Sequence, residues 1–111
     1  MKISIKRDND RNLKVTVTKN GVAVDITGWS VRFTVKKTAN LTDAQAIINV
    51  LVTSHENPTG GITNIPINAS DTTTEEVGRY VYDIKVRDAS NKLHSSDSGI
   101  FELVQEVTDT I

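Results

Sequence analysis

Apolar residues in this chain fall on every second position through almost its whole length, and no long stretch spaces them as a helix would. Side chains of an extended chain alternate between two faces, so this pattern describes strands that each bury one face. The fold class that follows is all-β. Ile3 and Ile5 alternate with Ser4 and Lys6, and Leu13, Val15 and Val17 alternate with Lys14, Thr16 and Thr18. Asn20-Gly21 then supplies the positive φ angles of a type I′ hairpin turn. With Lys19 facing Val22, Val17 falls opposite Val24 and Val15 opposite Ile26, which sets the apolar residues of both arms on one face.

Thr27-Gly28 turns the chain into Trp29, Val31, Phe33 and Val35, separated by Ser30, Arg32 and Thr34, the clearest strand in the sequence. Thr38 to Ala46 is polar and reads as a loop with a helical turn, and Ala46 to Thr53 resumes the alternation through Ile48, Val50 and Val52. Asn57-Pro58-Thr59-Gly60-Gly61 concentrates turn formers ahead of a strand from Ile62 to Ile67, where Pro66, which has no N–H to donate, argues for an edge position. Thr72 with Glu75, or Thr73 with Glu76, has the spacing of a capping box for a short helical turn, with Gly78 placed to end it. Tyr80, Tyr82, Ile84 and Val86 form one face of the next strand. A polar strand near Leu93 to Ser98 and a last strand from Ile100 to about Val107 bring the count to about eight. Short strands at this spacing predict an antiparallel β-sandwich, a single domain over residues 1–111 with at most one short helical turn.

With Cys 0 there is neither a disulfide framework nor thiolate chemistry. Lys+Arg 13 against Asp+Glu 14 leaves a net charge of -1 with no basic run, which disfavours nucleic acid as a partner. The opening residues lack the apolar core of a signal peptide, and no window reaches the ~18 apolar residues of a membrane span, so a soluble protein made in the cytosol is expected.

A catalytic relay drawn from His94, Ser95 and Asp97 fails because neighbours in one strand point to alternate faces. The expectation is a protein that is not an enzyme and has no cofactor and no small-molecule substrate. Asp8-x-Asp10-x-Asn12 copies the start of a calcium loop, but Leu13 stands where the turn glycine belongs and Lys19 where the bidentate glutamate belongs, so a charged turn is the preferred reading. Trp29, Tyr80 and Tyr82 are ring types that stack on sugars, yet their placement in phase with Val31, Phe33 and Ile84 favours the core. The final strand is apolar on both faces, with Ile100 and Val104 on one side and Phe101, Leu103 and Val107 on the other. Either both sides are covered within the domain or the side with Ile100 and Val104, joined by Val81, forms an interface.

Asn20-Gly21-Val22-Ala23-Val24-Asp25-Ile26-Thr27-Gly28-Trp29, followed by Val31-Arg32-Phe33-Thr34-Val35-Lys36-Lys37, Gly78-Arg79-Tyr80-Val81-Tyr82-Asp83-Ile84, Gly99-Ile100-Phe101-Glu102-Leu103-Val104 and Val107-Thr108, stand in a telling order. Together they resemble the small immunoglobulin-like β-sandwich domains of tailed-phage virion proteins, the group that includes the N-terminal domain of baseplate upper proteins. The resemblance implies a structural part of a phage or prophage particle, in a baseplate, tail or head appendage. It implies contacts with other virion proteins and with copies of itself, and a place in the virion after synthesis in the host cytoplasm. Within the fold it implies turn roles for Gly21 and Gly28, a space-filling role between sheets for Trp29, and a place for Gly78 just ahead of the tyrosine strand. Asp83, a carboxylate among apolar neighbours, either caps a loop, pairs with Arg32 or Lys85, or faces solvent. The alternative from another functional class is a carbohydrate-binding or host-adhesion sandwich, which the sparse aromatic content of 5% disfavours.

Overall fold

The alternating segments become strands, and the partners they choose set up two layers. A computed structural model of the protein describes residues 2–7 and 9–105, with positions 95 and 96 as backbone only. In chain order the strands are β1 (Lys2–Lys6), β2 (Arg11–Thr16), β3 (Thr18–Lys19), β4 (Val22–Ala23), β5 (Ser30–Lys36), β6 (Ile48–Val52), β7 (Ile62–Ile67), β8 (Gly78–Arg87) and β9 (Leu93–Val104). A five-stranded sheet runs β1-β9-β8-β5-β6, and the second layer is made of the pair β2-β7 and the small hairpin β3-β4. All ladders are antiparallel except β1 with β9, which run parallel, so the expected antiparallel sandwich carries one parallel edge.

The core lies between the layers. Val31, Phe33 and Val35 of β5, Tyr80, Tyr82, Ile84 and Val86 of β8, and Phe101 and Leu103 of β9 are all buried on the inner face of the large sheet. Ile65 and Ile67 of β7 meet them from the other side with Val17 and Ile26. Phe33 sits at the centre, its ring 5.9 Å from Tyr82 and 6.3 Å from Phe101, while Tyr80 meets Phe101 edge-on at 6.5 Å. Tilted ring pairs at these separations suit the aromatic quadrupoles, so they add to the area term rather than oppose it.

Turn chemistry and structure agree at the hairpin: Asn20 and Gly21 both have positive φ, and Lys19 pairs with Val22. Val24 donates to the Val17 carbonyl at 3.0 Å, as the register requires. The register stops there. Val15 faces Thr63 of β7 rather than Ile26, whose N–H goes to the Pro58 carbonyl instead. Pro66 is exposed in β7, which has a ladder partner on one side only.

Two further expectations are corrected. Among the described residues three single 3-10 turns occur instead of at most one, at Asp43–Gln45, Pro58–Gly60 and Ala69–Asp71. The last of these precedes the segment expected to carry the capping box; there the Asn68 N–H donates to Asp71 Oδ2 at 2.9 Å, while Thr72 to Glu75 closes only a turn. The polar segment near Leu93 and the strand from Ile100 are one continuous β9, paired with β8 along its length and interrupted only by a register shift at Val86/Arg87. Gly99 lies opposite Tyr82 inside this strand and does not break it. Val107 lies outside the described residues.

Candidate functional site

Period two gives the large sheet an outer face as definite as its inner one. Alternate residues of β5 and β8 point away from the core, and register brings Arg32 opposite Lys85 and Thr34 opposite Asp83. On β6 the same face carries Leu51, opposite Arg32. These residues line a concavity of about 760 Å³ on the open side of the sheet, together with Lys36, Arg87, Val81 and Asp43. Thus a chain with a formal charge of -1 gathers four cations and two carboxylates in one hollow.

The charges are unevenly paired. Lys36 Nζ meets Asp43 Oδ1 at 2.9 Å and also donates to the Leu41 carbonyl at 3.0 Å. The hydrogen bond from Lys36, and then its charge, hold the Asp43 carboxyl below its ordinary value, with smaller help from Lys85 and Arg32. Arg32 donates to Asn49 Oδ1 at 2.5 Å and Arg87 to the Asn91 carbonyl at 3.1 Å, neither of which neutralises a charge. Among the described residues, Arg32, Lys85, Arg87 and Asp83 form no ion pair. Asp83 is half-buried on the floor of the hollow, opposite Thr34 on one side and Ser98 on the other.

The proposed interface residues are not equally placed. Val81 and Ile100 are direct cross-strand neighbours on this outer face, and Ile100 is 38% exposed. Val104 shares the face but stands about 13 Å further along β9, opposite Lys6, with Glu102 between them held by Lys2 at 3.3 Å. The apolar surface is therefore a Val81–Ile100 spot bordering the charged hollow, and Val104 is separate from it.

The aromatic residues offer no open platform. Phe33, Tyr80, Tyr82 and Phe101 are buried. Trp29 is half-buried and packs against the core, and His94 covers its ring at 4.6 Å in a stacked geometry. His94 Nε2 in turn lies 2.7 Å from Asp88 Oδ2. The Asp88 carboxyl is held below its ordinary value, first by the Lys92 amide and then by His94. His55 is half-buried and bridges the Trp29 carbonyl at 2.8 Å and the Thr63 hydroxyl at 2.9 Å. Because a carbonyl only accepts, Nε2 of His55 carries the proton in this bridge. Nothing local in the sequence signals that both histidines meet Trp29, which comes from a distant segment. Gly28 occupies the turn before Trp29, and Gly78 opens β8.

Asp10, from the calcium-like stretch, uses Oδ1 to accept the Ala69 N–H at 2.7 Å, and Asn12 sits in β2 opposite Pro66; Asp8 lies outside the described residues. Among the described residues no group of three or more His, Cys, Asp or Glu is placed to hold a metal ion, and no helix is long and apolar enough to cross a membrane.

Comparison with known proteins adds a family. The model of the family described as BppU N-terminal domain matches residues 2–110, nearly the whole chain. No curated protein matches the chain.

Proposed function

Since the chain belongs to the BppU N-terminal domain family, a domain of phage baseplate structural proteins, we propose that it is a non-catalytic assembly module that joins its neighbours in the virion through the outer face of its five-stranded sheet. The match over residues 2–110 carries this reading. The site's chemistry supports it: the hollow on β5 and β8 offers fixed charges beside an apolar spot at Val81 and Ile100, a composition suited to a protein surface. Neighbouring virion proteins, and further copies of the domain, are the partners this reading supplies. The carbohydrate-binding alternative needs an exposed ring, and here His94 lies across Trp29.

Cryo-electron microscopy of the source particle tests the reading. The domain should occupy repeated, ordered positions with the β5–β8 face against protein, and its absence from purified particles overturns the proposal. Ile100→Lys should weaken incorporation without lowering the unfolding midpoint; unchanged incorporation moves the contact to another face.

A further inference from the structure

We infer that the cationic hollow on β5 and β8 is a docking groove for an extended acidic segment of a partner protein, an assignment that rests on the assembly role above and gives its contact a chemistry.

The starting point is an arrangement unfavourable in the isolated domain. Arg32 and Lys85 are directly opposite on adjacent strands, and like charges in that position repel. Arg87 follows on the same face of β8, and among the described residues no carboxylate pairs with any of the three. Asp43, one of the two acids that line the hollow, is taken by Lys36 at 2.9 Å. Asp83 leaves an excess of two positive charges in the hollow. A surface that sacrifices stability in this way gains from a partner that supplies the missing anions.

Geometry selects the form of that partner. Lys85 and Arg87 are alternate residues of one strand, so their side chains emerge about 7 Å apart. Alternate side chains of an extended peptide have the same repeat, so carboxylates at every second residue of such a segment meet these cations in step. Arg32, one strand away at about 4.8 Å, is placed to close on a carboxylate from the side. Leu51 is 51% exposed on this face and Val81 lines the hollow, so both give apolar side chains of the segment something to cover. Nucleic acid fits less well, because no ring is exposed here for bases to stack on.

The test titrates the purified protein into a short fluorescein-labelled peptide of alternating glutamate and serine, read by anisotropy, with the glutamine–serine peptide and oligothymidylate as competitors. Saturable binding of the acidic peptide is expected, with amide shifts in β5 and β8 and affinity falling as salt is raised. Lys85→Glu combined with Arg87→Glu should weaken it at least about tenfold, whereas Lys14→Glu, on an exposed position of β2, should change it by less than about twofold. Should the reversed variant fold poorly, Lys85→Gln with Arg87→Gln removes the same charges and should weaken binding while leaving the unfolding midpoint unchanged or higher. Binding that is unsaturable, unaffected by these variants, or outcompeted by oligothymidylate overturns the assignment. If the charge-reversed protein still enters the particle, the acidic-segment assignment fails while the assembly role stands; a domain missing from the particle altogether defeats the role itself.

Discussion

Gly61→Ala should be among the most damaging small substitutions in the protein, and Gly21→Ala shows by contrast why. Both residues have positive φ, +74° and +78°, so alanine is strained at either site. That strain costs about 1–2 kcal/mol, and the reduced freedom of the unfolded chain offsets about 0.4–1 kcal/mol of it. At Gly21 nothing lies within 4 Å of an added Cβ, so a net loss of about 1 kcal/mol is the whole effect. At Gly61 the same atom would stand 2.7 Å from both the Val17 and Val24 carbonyl oxygens, and 3.2 Å from the Val24 nitrogen. These are backbone atoms and cannot rotate away. Relief requires shifting the strand that delivers Val17, and with it the bonds Val17 N–H to Gly61 O at 2.8 Å and Val24 N–H to Val17 O at 3.0 Å. Each bond is worth about 1 kcal/mol, and more if its buried partners are left unpaired. The total is about 3–5 kcal/mol, a large share of the roughly 5–15 kcal/mol that holds a domain folded. Urea unfolding followed by Trp29 fluorescence measures both variants against the parent. If Gly61→Ala falls within about 0.5 kcal/mol of Gly21→Ala, the close approach of Gly61 to the Val17 and Val24 backbone is wrong.

The two core tyrosines should respond to loss of their hydroxyls with opposite signs. Tyr80 donates to the Glu76 carbonyl at 2.6 Å, so Tyr80→Phe should cost about 1 kcal/mol. The Tyr82 hydroxyl is buried with no hydrogen-bond partner among the described residues, so Tyr82→Phe should leave stability unchanged or raise it by about 1 kcal/mol in the same urea assay; equal losses would refute the distinction. Asp88, whose carboxyl is held low by the Lys92 amide and His94, contributes stability that is fully present above its unfolded value near 3.8 and is lost as pH falls through its lower folded value. Asp88→Asn should therefore flatten the acid limb of a stability–pH curve, and parallel limbs for variant and parent would refute this.

The fold was largely legible because burial and period two coincide in nearly every strand. Ile62–Ile67 has the bounds expected of it, and Phe33, Tyr80, Tyr82 and Phe101 all turn inward. What alternation cannot encode is which strand a face will meet. Asn20-Gly21 sets the pairing of Lys19 with Val22, but the return arm is only Val22–Ala23, and Val15 pairs with Thr63 of the six-residue β7. β9 misled for a related reason. Its first half is polar yet continues the ladder with β8, because ladder bonds join backbones and require no apolar residue.

The candidate surface illustrates the same limit from the functional side. Arg32 is an ordinary polar residue of an alternating strand, and so are Lys85 and Arg87; read singly, each is a solvent-facing charge. Only the β5–β8 register sets Arg32 against Lys85 and turns scattered charges into a locally repulsive cluster. Cross-strand neighbours on one face interact, and like charges there lower stability, so an accident of composition would more easily have left the two positions uncharged. The functional signal in such a domain therefore lies in the pairing of residues distant in sequence, on the face that the core does not use.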